Sequence, residues 1–131
     1  WHARAWCPKR KSFRDFVLSR ISNVGALAPN AVDPAMDHEW FNEVELHLAP
    51  NPELSEGARR SLSKEYNMVR GRLRLRTRVA LAFYMIQHFN LDLDLEPARK
   101  QLVLTNRDEI DQACRQAEDE TRRAIQEAGM A

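Results

Sequence analysis

Residues 1–24 constrain the fold most, because they read as a β-hairpin too small to stand alone. Trp1 to Cys7 alternates Trp, His, Ala, Arg, Ala and Trp, and Ser12 to Leu18 alternates again around Phe13, Phe16 and Leu18. Between them Pro8-Lys-Arg-Lys11 is polar and turn-like. Two β-rich runs around a short polar loop make a hairpin. Two strands alone are only marginally stable in water, so this pair requires further strands. The sequence opens without Met, on a bulky aromatic inside an apparent strand. The expectation is that the partner strands precede Trp1 and that the chain is the C-terminal part of a longer protein.

The 131 residues suit one compact domain or two small ones. A hydrophobic share of 44% and a charged share of 30% are ordinary for a soluble globular protein. The formal net charge of +1 exerts no overall pull toward nucleic acid or membrane. The charges are nevertheless in blocks. Arg4, Lys9, Arg10, Lys11, Arg14 and Arg20 face Asp15 alone within the first 24 residues. From Asp33 to Glu56 every full charge is acidic, and Arg70, Arg72, Arg74, Arg76 and Arg78 then recur at alternate positions. Such blocks point to basic and acidic surfaces that meet in a dimer or face a charged ligand. No apolar run approaches the ~18 residues that span a bilayer, so a soluble, cytoplasmic protein with no membrane contact is expected. Cys7 and Cys114 have no CxxC partner and no His at metal-ligand spacing, which reads as two reduced thiols.

Residues 25–38, with Gly25, Pro29, Asn30, Asp33 and Pro34 among small residues, read as a linker between the hairpin (1–24) and a second domain (39–131). Glu43-Val-Glu-Leu-His-Leu48 alternates, giving a half-buried strand with Val44, Leu46 and Leu48 inward, ended by Pro50-Asn-Pro52. Ser55 caps a helix to about Tyr66, with Ala58, Leu62 and Tyr66 on one face. Arg72-Leu-Arg-Leu-Arg76 is a strand with Leu73 and Leu75 inward, and its arginines read either as a solvent face or as partners for the acidic strand of Glu43 and Glu45. Thr77 to Phe89 is apolar on all sides, which predicts a central core helix. Lys100 to Leu104 gives a short strand. Thr105 or Asn106 then caps a last helix with the small-residue stripe Ile110, Ala113, Cys114, Ala117, Thr121, Ala124, Ile125 and Ala128. The second domain thus reads β-α-β-α-β-α, a small α/β or α+β domain.

No Ser-His-Asp order, Gly-rich phosphate loop or HExxH is present, and His2, His38, His47 and His88 do not cluster, so neither an enzyme nor a cofactor is expected. The chemistry lies in the hairpin. Arg14 and Arg20 are six residues apart, which places them on one face if the strand continues regularly. His2 and Arg4 share a face of the partner strand. Guanidiniums on one face form forks for phosphate or carboxylate. A solvated basic hairpin is the commoner reading of such a stretch, and the residues alone leave both open.

Trp1-His-Ala-Arg-Ala-Trp followed by Phe13-Arg-Asp-Phe-Val-Leu-Ser-Arg-Ile21 resembles the last hairpin of a WYL domain, with Trp1-His2-Ala3 in place of the name-giving triplet. The variant is similar to the BrxR and CapW type of WYL regulator that controls phage-defence operons. Pro50-Asn-Pro-Glu-Leu-Ser55, Glu65-Tyr-Asn-Met68 and Arg78-Val-Ala-Leu-Ala-Phe-Tyr84 resemble the C-terminal extension of those regulators. The resemblance implies an α+β chain: the terminal hairpin of an SH3-like WYL barrel, then a dimerisation domain. It also implies a ligand-sensing, homodimeric part of a repressor that contacts DNA through a helix-turn-helix domain upstream. The matching ligand-site positions are Arg14 and Arg20, with His2, Arg4 and Ser19 as weaker candidates, and the implied effector is a nucleotide or nucleic acid. Two alternatives stand beside it. One is a pure dimerisation module acting through the helix Ile110–Ala128 and the 77–89 core. The other is a barrel that binds nucleic acid directly through Lys9, Arg10, Lys11 and the Arg70 ladder.

Overall fold

A computed structural model describes residues 1–94, 96 and 99–130. The fold is α+β, in two compact units: Trp1–His38 together with the chain from Glu118 onward, and Glu39–Ala117.

In the first unit β1 (His2–Cys7) and β2 (Ser12–Val17) pair antiparallel, in register from His2 opposite Val17 to Cys7 opposite Ser12. The polar turn closes with the Arg10 N–H donating to the Cys7 carbonyl at 3.1 Å, and Lys11 takes a φ of 49°. Trp6 and Phe13 are direct cross-strand partners with rings edge-to-face at 5.3 Å. That is a favourable aromatic geometry and it fixes the register. The strand does not run on to Arg20, because Leu18–Arg20 curls into a 3₁₀ turn. A second 3₁₀ turn, Pro34–Met36, occupies the expected linker: the Asp33 carboxylate accepts the Ala35 N–H at 2.9 Å and Pro34 presets the backbone. Among the described residues β1 and β2 pair only with each other, and no closed barrel is formed.

A one-turn helix, α1 (His38–Phe41), precedes β3 (Glu43–Pro50), α2 (Glu56–Glu65), β4 (Leu73–Arg78), α3 (Val79–His88), β5 (Leu102–Leu104) and α4 (Arg107–Glu127). The expected β-α-β-α-β-α order is therefore present. The sheet is wholly antiparallel, in the order β4-β3-β5. Its alternation separates two faces. Val44, Leu46 and Leu48 point into the core, the last two with 0% exposure, while Glu43, Glu45 and His47 point away. Val79, Ala82 and Ile86 of α3, Ile110 and Ala117 of α4, Leu91 and Leu102 complete that core. The Ser55 hydroxyl caps α2 by accepting the Ala58 N–H at 3.2 Å.

Two local expectations are corrected. The helix read as a central core element buries one side only: Leu81 and Phe83 of α3 are exposed. Apolar composition places a helix against apolar partners, but it does not place those partners in the same chain. The side chain of Asn106 is not the cap of α4. Its Oδ1 accepts the His47 N–H and its Nδ2 donates to the Glu45 carbonyl, each at 2.9 Å. Thr105 N–H donates to the His47 carbonyl at 2.8 Å, so the amide of Asn106 extends the β5–β3 ladder by one rung. The Asn106 carbonyl meanwhile accepts the Ile110 N–H and opens α4.

Candidate functional site

In an antiparallel pair, directly opposed residues share a face. The register therefore puts His2, Val17, Arg4, Asp15, Trp6 and Phe13 on one face of the hairpin, and Ala3, Phe16, Ala5 and Arg14 on the other. Arg14 thus lies on the face opposite His2 and Arg4. Arg20 and Ser19 sit in the 3₁₀ turn beyond the strand, where the even-separation argument linking Arg14 to Arg20 does not apply. Arg14, Ser19, Arg20 and His2 are exposed. Arg14 and Arg20 make no ion pair among the described residues, whereas Arg4 is held on both sides. Its Nε and Nη2 fork onto Asp37 at 2.6 and 2.8 Å, and its Nη1 reaches Asp15 at 3.3 Å. Asp37 is 4% exposed and 33 residues away. A bidentate, nearly buried fork of this kind is a structural tie. Nothing local in the sequence marks Asp37 for that role.

The second unit carries two outward surfaces. The first is the polar face of the sheet. Glu45 lies opposite Arg76, Glu43 opposite Arg78, and His47 opposite Arg74. The charges pair on the diagonals, Arg76 with Glu43 at 3.7 Å and Arg74 with Glu45 at 3.9 Å. Of the two readings of the arginine ladder, pairing with the acidic strand is the one present at that end. Arg78 has a separate duty: its Nη1 donates to the Trp40 carbonyl at 2.7 Å and its guanidinium lies over the Trp40 ring, 4.6 Å from the centroid. β4 is also a sheet edge, and arginines there discourage strand addition.

The second outward surface is apolar. Phe83 is 57% and Leu81 37% exposed on α3, two residues apart and so on different sides of the helix, with the Tyr84 ring edge-to-face to Phe83 at 5.8 Å. An exposed aromatic ring of this kind is a candidate contact for another chain. Cys114, half-buried on α4, has its pKa raised by burial first and by the nearby charges of Asp111 and Glu39 second, which keeps the thiol protonated. Among the described residues no three His, Cys, Asp or Glu side chains are grouped to hold a metal, and no helix is long and apolar enough to cross a membrane.

Residues 43–110 match the family described as the BrxR transcriptional regulator, C-terminal dimerization domain. That span runs from the first residue of β3 to the first turns of α4 and includes both outward surfaces. The chain is also similar to the DNA-binding transcriptional repressor CapW of Stenotrophomonas maltophilia, 39% identical over 123 residues that cover 91% of this chain and 41% of that protein. CapW of Pseudomonas aeruginosa is 36% identical, and CapW of Escherichia coli 35%; each alignment covers 84% of this chain and 38% of the relative. The chain thus spans about two fifths of the length of these relatives.

Proposed function

The chain belongs to the family of BrxR transcriptional-regulator C-terminal dimerization domains, and from that premise we propose that it joins two protomers of a DNA-binding transcriptional repressor. The single observation that carries this reading is the exposed aromatic ring of Phe83 on α3, inside the matched span. The rival seam, the small-residue stripe of α4, is already used: Ile110, Ala117, Thr121 and Ile125 are buried within the chain itself. A two-fold dimer presents the same ring from both copies, so each covers and is covered. DNA is contacted by a domain N-terminal to this chain, and the dimer sets the spacing of its two half-sites. The regulated genes are those of a defence operon, and no catalysis is involved.

Sedimentation velocity over a concentration series tests the dimer directly. A reversible monomer–dimer shift is expected, and a monomer at every concentration refutes the reading.

Ligand sensing is the finer part of the proposal. It places an anionic effector, a nucleotide or short nucleic acid, against Arg14 and Arg20 with Ser19 next to Arg20 in the turn, while His2 lies on the opposite hairpin face from Arg14 and Arg4 holds the hairpin to Asp37. The effector acts by preferring one of two arrangements of the repressor. Binding of labelled oligonucleotides and cyclic nucleotides to the repressor, with Arg14→Ala and Arg20→Ala as variants, tests it. Equal affinity in all three proteins removes the assignment.

A further inference from the structure

The acidic strand neutralises only one end of the arginine ladder. At the other end β4 is entered through a closed two-residue turn. Val69 N–H donates to the Arg72 carbonyl at 3.0 Å and Arg72 N–H to the Val69 carbonyl at 3.1 Å. Arg70 and Gly71 both take left-handed backbone, with φ of 53° and 70°. This is the mirror-image turn that suits a twisted hairpin, and glycine is the natural occupant of its second position. Arginine is an uncommon occupant of the first, since a side chain there carries a steric cost. The result is a guanidinium held at the tip of the turn.

Two open grooves flank this tip. One, of about 730 Å³, is lined by Arg70, Arg72 and Arg74 with Asn67. The other, of about 840 Å³, is lined by Arg59, Arg60 and Lys64 of α2 and reaches Gly71. Of these six cations, Arg60 has Glu56 at 3.9 Å and Arg74 has Glu45 at 3.9 Å. Glu45 is itself shared with His47, whose Nε2 lies 2.8 Å from the same oxygen. Arg59, Lys64, Arg70 and Arg72 make no ion pair among the described residues. Positive charge therefore accumulates at one corner of a chain whose net charge is only +1.

We propose that this corner is a sequence-independent contact for the backbone phosphates of duplex DNA. The inference rests on the reading of the chain as part of a DNA-binding regulator and adds a second contact to it. Three features favour a duplex over other polyanions. Alternate residues of an extended chain recur every ~6.7 Å, and successive phosphates of one strand of B-form DNA, which winds around the axis while advancing ~3.4 Å along it, lie about that far apart in space, so Arg72 and Arg74, at the entry of β4, match neighbouring phosphates. Neither groove is lined by an aromatic ring among the described residues, and single-stranded binders depend on rings for base stacking. The guanidiniums lie on an exposed rim, where they reach a convex rod and no base edge, so the contact positions DNA without reading it.

The test is fluorescence anisotropy of this chain with a short labelled duplex of arbitrary sequence, the matching single strand, and polyglutamate, each over a salt series. Weak duplex binding is expected, with log K falling against log salt at a slope near −3 to −4, as ~4 phosphate contacts require. Arg70→Ala/Arg72→Ala and Arg59→Ala/Lys64→Ala should each flatten the slope by about 2 and lower low-salt affinity at least tenfold, with the circular dichroism spectrum unchanged. No duplex binding at low salt, an unaltered slope in both variants, or tighter binding to single strand or polyglutamate overturns the proposal. Sedimentation on the same samples keeps the two ideas apart. A dimer without duplex binding sinks the phosphate contact alone, and a monomer that binds duplex with the expected slope sinks the dimer alone.

Discussion

Replacing Phe83 with alanine should weaken self-association without unfolding the chain. Aromatic side chains present roughly 200 Å² each, and Phe83 is 57% exposed, which leaves about 115 Å² of its surface in water. The alanine methyl retains part of that area, so truncation removes roughly 80 Å² per protomer from a dimer interface. Two-fold symmetry doubles it to about 160 Å². At ~25 cal/mol per Å² the loss approaches 4 kcal/mol, and incomplete cover at the rim lowers it toward ~2 kcal/mol, the threshold for an interface hot spot. The dimer Kd should therefore rise between thirtyfold and about a thousandfold. Sedimentation equilibrium at several loading concentrations reads this shift. Thermal unfolding should be measured below the dimer Kd, where linkage to association vanishes, and should move by no more than ~0.5 kcal/mol, since the ring contributes little to the core. A Kd within threefold of wild type would place the interface elsewhere. A large fall in monomer stability would mean that the ring packs within its own chain.

Three further outcomes follow from local geometry. Asp37→Ala removes the bidentate partner of the nearly buried Arg4 and should cost about 2–4 kcal/mol locally, read as faster amide exchange across His2–Val17; unchanged exchange would deny the tie. Asn106→Ala removes both amide bonds to β3 and exposes the His47 N–H and Glu45 carbonyl as unpaired groups, a loss of about 2–3 kcal/mol in urea unfolding. A midpoint equal to wild type would show the ladder extension to be idle. Cys114 should alkylate more slowly in the folded than in the urea-unfolded chain, because its pKa is raised by burial and by Asp111 and Glu39. The linked stability is fully present below the unfolded thiol's pKa and is lost as pH rises through it toward the higher folded value. Equal alkylation rates would contradict the raised value.

Periodicity made the second unit legible. The alternations Glu43–Leu48 and Arg72–Arg76 mark both long strands and their inward residues, and admit the arginines as either a solvent face or partners of the glutamates, of which the register selects the second for Arg74 and Arg76. Ser55 announced α2 because a hydroxyl before a helix has one dominant use. What escaped had no period or was not local. α1 is four residues long, too short to show a helical repeat. The fork from Arg4 to Asp37 joins residues far apart in sequence. Asn106 serves a helix start and a strand end equally well, and only the position of β3 decides between them. Arg14 and Arg20 looked like a pair under an assumption of unbroken strand, which the 3₁₀ turn at Leu18–Arg20 breaks. The outer face of α3 was misassigned because an apolar face covered by its own chain and one left for another copy look alike in a sequence.

Because the carboxamide of Asn106 occupies a rung of the sheet while its own carbonyl begins α4, the strand passes into the helix with no slack at all. A single residue inserted at this splice would rotate Ile110 about 100° off the core and unseat the amide together. Length changes among related chains should therefore collect in the 92–100 stretch and never at 104–107, a pattern that a comparison of family lengths would confirm or deny.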